Sequence, residues 1–558
     1  MVGMRRTCTS TQTRWSLLIG SLALLLVGVD AFADSPESDY FLKINKSIDM
    51  FGQVYKKIVL DYVDEVDPEK FMQEGIEGML GSLDPYTVYI DKKNGDEVEL
   101  LTTGKYGGIG VTIGQRDGAI QVMTVMDGYS AQRQGVLPGD RIIEVDGLNI
   151  ANKRPEEVRS LTRGEPGTET RVTVEREGEK QPLTFVLIRE EIQLKNVTYS
   201  ELSSDGIGYI RLERFSSTAG DEVRQAIREM KVKGDVKGLV LDLRGNPGGL
   251  LKSAVDVVSK FVPLGSPIVT TRGRRPETEK RFTALEEPLL PTTPLVVLTD
   301  RNSASASEIV AGALQDLDRA LIVGTRTFGK GLVQDVERLP YDAQLKFTTA
   351  RYYIPSGRSI QEIDYLHKDG GGLFATVPDS LKRMYKTAGG RKVYEYGGIT
   401  PDSVVKEQEF GPMVRELYRK SLFFRFANTY TGDHKGESYA AITEAHLEAF
   451  RKFLEEQKFD YQEEADAKLN DIRQMAERSH YSKEVLANLD LLAAAMDKEK
   501  ARGFDRYKDH LARELNIEFT ARAKGEQGRI AVSLKDDPQY ETAVAILKSP
   551  DQYTRKIK

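Results

Sequence analysis

The stretch Ser303-Ala-Ser-Ala-Ser-Glu308 follows an apolar run, Leu295 to Leu298, and precedes a segment of helical character, Ile309 to Leu317. A buried strand that ends in polar turn residues and opens into a helix brings serine hydroxyls and backbone N–H groups to one point, as nucleophilic catalysis requires. The spacing Ser305-x-x-Glu308 also fits an ordinary capping box at the start of a helix. These residues alone leave both interpretations open.

On both sides of this stretch, segments alternate between strand and helix patterns. The predicted strands are Ile207 to Leu212, Gly238 to Leu243, Ile268 to Thr271, Leu295 to Leu298 and Ala320 to Gly324. The predicted helices are Gly220 to Met230, Lys252 to Phe261 and Ala306 to Leu317. This alternation predicts a largely parallel sheet covered by helices, in which sites form where strands end and helices begin. Two strand ends qualify, the serine stretch and Asp242-Leu-Arg-Gly-Asn-Pro-Gly-Gly249.

Histidine is poorly placed to activate a serine in this chain. The histidines all follow the two strand ends; they are His367, His434, His446, His480 and His510. We expect His367 to lie in a loop insertion and the other four to lie on helical surfaces. Lysine is the accepted alternative base, provided that burial lowers its pKa.

The candidate lysine is Lys330, in Gly324-Thr-Arg-Thr-Phe-Gly-Lys-Gly-Leu-Val-Gln334, which begins at the end of a predicted strand. Its glycine and apolar neighbours suit a desolvated amine, and Gln334 lies on the same side as Lys330 in either a strand or a helix. An isolated Gly-Lys-Gly is more commonly a surface turn. The stretch also resembles a phosphate-binding P-loop, but Gly331 stands where that loop needs Ser or Thr to help hold Mg²⁺.

Residues 105–190 change to short β-branched segments bounded by Gly, Pro or Asp. The predicted strands are Ile109 to Ile113, Ile120 to Val125, Arg141 to Val145, Arg171 to Glu175 and Leu183 to Ile188. Two stretches, Tyr106-Gly-Gly-Ile-Gly-Val111 and Leu137-Pro-Gly-Asp-Arg-Ile-Ile-Glu-Val-Asp-Gly147, resemble a PDZ domain, which binds free peptide C-termini. The resemblance implies that N–H groups of the glycine-rich loop hold the terminal carboxylate. The loop residues are Gly108, Ile109, Gly110 and Val111.

The N-terminus predicts export. Three arginines precede the uncharged run Trp15 to Val29, and Ala31-Phe-Ala33 supplies small residues for cleavage after Ala33. The run is shorter than the roughly 20 residues needed to span a bilayer, so we expect a signal peptide, residues 1–33, with an uncleaved anchor as the alternative. The single cysteine, Cys8, precedes the cleavage site, so the mature chain is expected to have no thiol for disulfides, catalysis or metal binding.

Helical patterns occupy both ends of the expected mature chain. Phe41 to Val63 and Asp67 to Leu80 each show an apolar face, as a cap on a later domain or a dimerisation arm would. Residues 406–558 are charged, Leu-rich and without a catalytic constellation. The clearest helices there are Ile442 to Phe459 and Val485 to Met496. The net charge of −6 and the lack of a basic stripe are atypical of nucleic-acid-binding proteins.

Several stretches, in their order along the chain, resemble the C-terminal processing peptidases, also called tail-specific proteases. They are Ser82-Leu-Asp-Pro-Tyr-Thr87, the two PDZ-like stretches, the stretches from Asp242 and from Ser303, Gly329-Lys-Gly-x-x-Gln334, Tyr353-Ile-Pro-Ser-Gly-Arg358 and Gly398-Ile-Thr-Pro-Asp402. The resemblance implies a serine endopeptidase in which Ser305 is the nucleophile, Lys330 the general base and Gln334 the residue that orients the lysine. The implied oxyanion hole is the backbone N–H of Gly248 or Gly249 together with that of Ala306. Residues 364–394 look longer than the minimal family pattern.

The expected fold is therefore a multidomain α+β chain. Its expected parts are a signal peptide (1–33), an N-terminal helical segment (34–104), a PDZ domain (105–190), an α/β, crotonase-like Ser/Lys protease core (191–405) and a C-terminal helical domain (406–558). The expected function is cleavage of exported proteins at or near their C-termini, with the PDZ domain selecting the tail and with neither metal nor cofactor.

The expected location is the periplasm or the periplasmic side of a membrane. The expected partners are protein substrates with unstructured, apolar C-termini, further copies of the chain bound through the N- or C-terminal helices, and an adaptor or activator protein, but no nucleic acid. The alternative is a catalytically silent PDZ scaffold on a protease fold. The joint presence of Ser305, Lys330 and Gln334 argues against that alternative, since a scaffold needs none of them.

Overall fold

The computed structural model describes residues 36–91, 96–116, 118–368, 374–376, 380, 382–434 and 441–558. The predicted signal peptide lies outside these residues. The chain divides into two compact units, residues 1–89 and residues 90–558. Among the helices that are described, none has the length and apolar character needed to cross a bilayer.

Two predicted helices are confirmed in the first unit, α1 (Pro36–Asp61) and α2 (Pro68–Leu80). Asp67 caps α2 by accepting hydrogen bonds from two N–H groups of its first turn, at 2.9 and 3.1 Å. Tyr55 of α1 stacks on Phe71 with the ring centroids 5.9 Å apart. Much of the remaining apolar surface of α1 is exposed.

The helices and strands that follow fall into three groups along the chain. Those before residue 194 are β1 (Val88–Ile90), α3 (Asp96–Thr103), β2 (Lys105–Gly108), β3 (Val111–Arg116), β4 (Ala119–Val125), α4 (Ser130–Gln134), β5 (Arg141–Val145), β6 (Leu148–Asn149), α5 (Pro155–Thr162), β7 (Glu169–Glu175), β8 (Leu183–Ile188) and β9 (Glu190–Gln193). Those of the middle group are β10 (Val197–Leu202), β11 (Ile207–Leu212), α6 (Ala219–Lys233), β12 (Gly238–Asp242), α7 (Leu251–Ser259), β13 (Pro267–Gly273), β14 (Lys280–Thr283), β15 (Leu295–Thr299), α8 (Ala306–Asp316), β16 (Leu321–Gly324), β17 (Leu332–Arg338), β18 (Gln344–Tyr353), β19 (Ile363–Lys368), β20 (Phe374–Thr376), β21 (Met384–Lys386), β22 (Lys392–Tyr394) and β23 (Ser403–Val404). The last group is helical: α9 (Pro412–Arg419), α10 (Leu422–Asp433), α11 (Glu444–Glu456), α12 (Glu464–Arg478), α13 (Lys483–Ala501), α14 (Gly503–Arg506), α15 (Lys508–Ser533), α16 (Pro538–Leu547) and α17 (Pro550–Ile557).

The β-rich domain is an antiparallel sheet in the order β3-β4-β5-β7-β8, with β6 paired to β5 and a separate ribbon of β2 and β9. Alternate residues of these strands point inward, so that Ile113, Val145 and Val172 are buried together. The five predicted strands are confirmed. Two short helices, α4 and α5, were not predicted, because each shows too few turns to establish a helical period.

The middle group forms the predicted, largely parallel sheet. Its strand order is β10-β11-β12-β15-β16-β23, with only β10 antiparallel to its neighbour. Strand β12 is buried along its whole length, as expected for a strand covered on both faces. Helices α6, α7 and α8 cover one face with the apolar core. The other face packs against α16, α17 and the end of α15, which brings the C-terminal helices onto the protease sheet.

Two expectations for this region are wrong. Strand β13, predicted within the alternating pattern, pairs antiparallel with β14 and with the ten-residue β18 in a second sheet, because a short apolar run does not specify its partner strand. The expected loop insertion, residues 364–394, contains two short hairpins, β19–β20 and β21–β22, in its described parts. His367 accordingly lies in strand β19.

The C-terminal helices α9, α10, α11, α14 and α15 share an aromatic-rich core of their own. The predicted helices at 442–459 and 485–496 are confirmed as α11 and α13. One histidine expected on a helical surface is instead buried: His446 accepts a hydrogen bond from the Thr443 N–H at 2.9 Å and lies edge-on to Phe519. His446 lies in the first turn of α11, on the side that faces the aromatic core. The sequence pattern of the helix alone does not show that this side is buried.

Candidate active site

The serine stretch forms the N-terminus of α8, which the central sheet carries at the end of β15. Ser305 precedes the first helical residue with φ 55° and ψ −112°. Positive φ is uncommon for a residue with a side chain and costs about 1–3 kcal/mol, so such a conformation persists only where the surrounding structure enforces it. Ser305 is also partly exposed, whereas Ser303 and Ser307 are fully buried.

The two buried serines have structural partners. Ser303 Oγ donates to the Leu243 carbonyl at 2.8 Å, and Ser307 Oγ donates to the Asn246 carbonyl at 2.9 Å. Both acceptors lie in residues 242–249, which we call the oxyanion turn. The serines on either side of Ser305 therefore fix the oxyanion turn against the start of α8, and Ser305 is the one of the three with an accessible side chain.

The oxyanion turn passes directly beside Ser305. Gly248 has φ 102°, and a Cβ there would lie 2.9 Å from both the Ser305 Cβ and the Ala306 nitrogen. Only glycine therefore fits at residue 248. The Gly248 N–H already donates to Asn246 Oδ1 at 2.9 Å.

Gly249 is held by a parallel β-bridge to Phe215. Phe215 bonds to the Gly248 carbonyl at 3.2 Å and to the Leu250 N–H at 2.8 Å. In this pattern the intervening Gly249 N–H points away from Phe215. The Ala306 N–H belongs to the first turn of α8, whose N–H groups have no partner within the helix. Of the predicted oxyanion donors, the geometry thus favours Gly249 with Ala306 over Gly248.

Lys330 lies in the loop of residues 325–331, which we call the base loop, between β16 and β17. The base loop returns to the serine stretch, since the Phe328 N–H donates to the Ser303 carbonyl at 3.0 Å. Lys330 is half-buried and lies between Gly329 and Gly331. The structure therefore brings the segment that carries Lys330 next to the segment that carries Ser305.

A buried carboxylate joins these two segments. Glu308 Oε2 accepts the N–H of Ser305 and the N–H of Lys330, both at 2.8 Å. Glu308 Oε1 accepts the Gly329 N–H at 2.7 Å and the Thr327 hydroxyl at 2.6 Å. Glu308 thus supplies the capping-box contact anticipated from the sequence, and it extends that contact to the base loop.

The ionisation of Glu308 reflects two opposing effects. Burial raises the pKa of Glu308 to about 7, against the opposing effect of its four hydrogen-bond donors, which favour the carboxylate. A protonated carboxyl group would have to turn a donor toward one of these groups. The ionised form is therefore the one that satisfies all four contacts.

The side chain of Tyr352 contacts Ser305 and Lys330 through their backbone carbonyls. The Tyr352 hydroxyl, at the end of β18, donates to the Ser305 carbonyl at 3.1 Å and also contacts the Lys330 carbonyl. The Tyr352 N–H donates to the Gly331 carbonyl at 3.0 Å, and its side chain is fully buried. The base loop is therefore enclosed between α8 and β18.

Gln334 lies in β17, beside a bulge in its pairing with β18. Its amide nitrogen donates to Thr348 Oγ1 at 3.2 Å. This contact fixes the orientation of the amide group and turns its oxygen, an acceptor, away from Thr348.

A cluster of charged side chains holds the start of the oxyanion turn. Asp242 is fully buried and accepts hydrogen bonds from Arg244 and from the Tyr209 hydroxyl at 2.7 Å. Burial alone would raise the pKa of Asp242, but Arg244 and Arg211 hold it below its usual value. Arg244 also pairs with Asp537 of the C-terminal segment at 2.7 Å. The oxyanion turn is therefore anchored to the C-terminal helices as well as to the serine stretch.

In the β-rich domain, the predicted carboxylate-binding residues occupy the turn between β2 and β3, which we call the PDZ loop (residues 108–111). The Ile109 carbonyl accepts the Ala131 N–H at 3.0 Å, and the Gly110 carbonyl accepts the Met126 N–H at 2.9 Å. Gly110 has φ 83°, and a Cβ there would lie 2.4 Å from Tyr129. These two hydrogen bonds hold the Ile109 and Gly110 carbonyls against the segment of residues 126–131.

Sequence reasoning missed Glu308 and Tyr352 as functional candidates. From the sequence, Glu308 fits a capping role, and the detectable signal for a second role is a glutamate on a largely apolar helix. Tyr352 gave no local signal, because its contact depends on a strand that is distant in sequence from Ser305.

Comparison with known proteins places this geometry in a family. The family model of peptidase family S41 matches residues 206–369, and a PDZ-domain model matches residues 121–176. Models of the C-terminal helical domain of probable PDZ-proteases and of the N-terminal domain of the activating protease CtpB match residues 413–547 and 31–94. A carboxy-terminal-processing protease of Bartonella bacilliformis is 38% identical over 346 residues, which cover 62% of this chain and 78% of that protein. The chain belongs to the carboxy-terminal processing proteases of family S41.

Two further proteins are similar to this chain. Carboxy-terminal processing protease CtpB of Bacillus subtilis is 34% identical over 58% of this chain and 67% of its own length. The solved photosystem II D1 C-terminal processing protease is 28% identical, covers 64% of this chain and 92% of its own, and has a TM-score of 0.35. On the family models and the curated relatives, the chain is a C-terminal processing serine protease with a PDZ domain, an S41 protease core and helical N- and C-terminal segments.

Proposed function

We propose that Ser305 and Lys330 form a serine/lysine dyad that cleaves exported proteins near their C-termini. The observation that carries this proposal is the convergence of Ser305, the base loop and the oxyanion turn at the N-terminus of α8. In the first step, Ser305 Oγ attacks the scissile carbonyl carbon while Lys330 Nζ accepts the hydroxyl proton. The Gly249 and Ala306 N–H groups, together with the positive end of α8, stabilise the oxyanion that forms.

The second half of the reaction reverses these roles. Lys330 returns the proton to the leaving amine as the C–N bond breaks, which leaves an acyl ester on Ser305. Water then attacks the ester, with Lys330 again accepting a proton, and Ser305 is regenerated. In this proposal the Gln334 side-chain oxygen accepts a hydrogen bond from the lysine amine and orients it, because the Gln334 amide N–H already donates to Thr348 Oγ1. These steps need neither a metal nor a cofactor.

Substrate selection is the role we propose for the PDZ domain. The N–H groups of the PDZ loop bind the terminal carboxylate, and the tail adds a strand beside β3. The proposed tails are apolar, because a strand added beside β3 would lie next to the apolar core that contains Ile109 and Ile113. The residues upstream of the bound tail then enter the active site.

We further propose that the enzyme acts in the periplasm or on the periplasmic side of a membrane, because residues 1–33 have the composition of a signal peptide. Exposed apolar residues on α1 suit binding to a further copy of the chain or to an adaptor or activator protein.

The test compares how fast the parent protein, Ser305→Ala and Lys330→Ala degrade an unstructured reporter that ends in apolar residues. We expect the parent to cleave the reporter and each variant to lose at least about 10³-fold in kcat. The same reporter with a charged tail serves as the control for selection. Equal cleavage by all three proteins would contradict the dyad, and a folded but inactive parent would favour the alternative of a silent PDZ scaffold.

A further inference from the structure

Two buried side chains each link the backbone of Ser305 to the backbone of Lys330. Glu308 accepts both N–H groups on one carboxylate oxygen, and the Tyr352 hydroxyl contacts both carbonyls. The two links approach from different elements, since Glu308 lies on α8 and Tyr352 lies on β18. Nothing in the chemistry of the dyad itself requires either side chain.

We propose that Glu308 and Tyr352 are positioning residues that hold the nucleophile and the base at a fixed separation. This inference rests on the proposed dyad, since it concerns how that dyad is assembled. Neither residue touches the substrate. Each acts through the backbone of Ser305 and Lys330.

The local backbone explains why such links are needed. Ser305 has positive φ, which is unfavourable unless its surroundings enforce it. Lys330 stands between two glycines, and the first of them, Gly329, has φ 92°. Glycine is the most freely moving residue in a chain, so the base loop alone does not fix the lysine. The hydrogen bonds that Glu308 accepts and that Tyr352 donates supply the constraint that the backbone of Ser305 and Lys330 lacks.

The second oxygen of Glu308 extends the constraint to the rest of the base loop. It accepts the Gly329 N–H and the Thr327 hydroxyl, and Thr327 Oγ1 in turn accepts the Ile399 N–H at 2.7 Å. Both carboxylate oxygens are therefore occupied by pairs of donors. A helix cap needs only the contact with Ser305, so the remaining three contacts point to a function beyond capping.

The chemistry of the side chain makes this inference testable. In Glu308→Gln one of the two oxygens becomes an NH₂ group, which is a donor. That NH₂ group would face either the N–H groups of Ser305 and Lys330 or the N–H group of Gly329. Two donors cannot bond to each other, so the hydrogen bonds on that side of the side chain are lost. Tyr352→Phe removes only the hydroxyl and keeps the ring. Both variants keep Ser305 and Lys330 themselves.

The chain offers a matched control for each variant. Glu222 is also a carboxylate with four donors, including the N–H groups of Asn196 and Val197 at 2.7 and 3.0 Å. The Tyr553 hydroxyl likewise contacts backbone carbonyls of two segments, at Leu295 and Arg319. Neither control residue belongs to the active site, so Glu222→Gln and Tyr553→Phe measure the cost of losing such contacts elsewhere.

The experiment measures kcat and KM on the apolar-tailed reporter, together with the melting temperature of each full-length protein. We expect Glu308→Gln to lose about 100-fold in kcat, because displacing a reacting group by about 1 Å has an effect of that size. Tyr352→Phe should lose about tenfold, the equivalent of one hydrogen bond. KM should stay within about threefold in both, and the controls should keep kcat within about threefold.

Other results would overturn the inference. Glu308→Gln and Tyr352→Phe with a lower melting temperature but the parental kcat would show that the links serve stability alone. A change confined to KM would place the residues in substrate binding. Should Glu308→Gln fail to fold, Tyr352→Phe decides the question by the same criteria. Ser305→Ala run in parallel separates the two proposals, because parental cleavage by that variant would contradict the dyad itself.

Discussion

The oxyanion turn and the PDZ loop are both glycine-rich and both contain positive φ angles, yet different contacts hold them. Buried polar side chains fix the oxyanion turn, namely those of Ser303, Ser307 and Asn246. The PDZ loop is held by backbone hydrogen bonds from Met126 and Ala131. The first arrangement uses side-chain oxygens of the serine stretch and of the turn itself, whereas the second uses backbone hydrogen bonds to two carbonyls of the loop.

This difference suits the roles that we propose for the two sites. A catalytic site must hold donors within a fraction of an ångström of the developing charge, because misplacement weakens transition-state stabilisation directly. A tail-binding loop needs only a ring of N–H groups around a carboxylate and must accept many peptides. Changes at the oxyanion turn should therefore lower kcat, and changes at the PDZ loop should raise KM.

The largest effect is expected from Gly248→Ala. The added Cβ would lie 2.7 Å from the Ala304 carbonyl oxygen and 2.9 Å from the Ala306 nitrogen, so the turn must move away from Ser305. We expect kcat to fall about 10³-fold, as on loss of an oxyanion-hole donor, with KM little changed. The control is Gly245→Ala, in the same turn and also at positive φ but with no atom near its Cβ. Equal losses in both variants would show that backbone strain, and not the contact with Ser305, is responsible.

The next effect concerns the buried carboxyl group of Glu308, which links Ser305 to Lys330. Burial raises the pKa of Glu308 from 4.5 to about 7. The folded protein therefore keeps this proton over a range in which the unfolded chain releases it. The associated stability is complete below pH 4.5 and is lost as the pH rises through about 7, a change of roughly 3 kcal/mol.

Urea unfolding between pH 4 and 8 measures this change. The free energy of unfolding of the parent should fall relative to that of Glu308→Gln over this range, because the amide does not titrate. Tyr352→Phe retains the carboxyl group and should keep the parental dependence on pH. A constant difference between the parent and Glu308→Gln would show that the four donors cancel the effect of burial.

The matching change in the PDZ loop is Gly110→Ala. Its Cβ would lie 2.4 Å from the Tyr129 Cβ, which would displace the loop and its N–H groups. We expect KM for an apolar-tailed reporter to rise roughly 30-fold, as on loss of about 2 kcal/mol of charge-assisted hydrogen bonding, with kcat retained. Gly128→Ala, at positive φ with open space around it, is the control. A fall in kcat without a change in KM would contradict the proposed division of roles.

The sequence predicts some features of these two sites and not others. Periodicity predicts the element boundaries at which the serine stretch, the Asp242 stretch and Lys330 lie. The choice of Ser305 among the three serines and the role of the PDZ loop come instead from the family resemblances. The links between Ser305 and Lys330 are not predicted, since Tyr352 and Glu308 meet the base loop only through tertiary packing. The same limit explains β13, whose apolar run indicated a strand but not its partner, and His446, whose burial depends on helices distant in sequence.

The smallest effect is expected where the PDZ domain contacts the C-terminal helices. The guanidinium groups of Arg116, on β3, and Arg522, on α15, each lie 4.8 Å from the centre of the Phe424 ring. Arg116→Ala removes one cation–π contact, so hydrogen exchange across β3 and β4 should become faster by the equivalent of about 0.5–1 kcal/mol, with kcat unchanged.

Arg141→Ala is the control, since it loses only an exposed ion pair with Glu175, and such pairs contribute little. Equal exchange in the parent and Arg116→Ala would mean that this contact does not restrain the PDZ domain. A lower kcat in Arg116→Ala would mean that the rigidity of the catalytic site depends on where the PDZ domain is held.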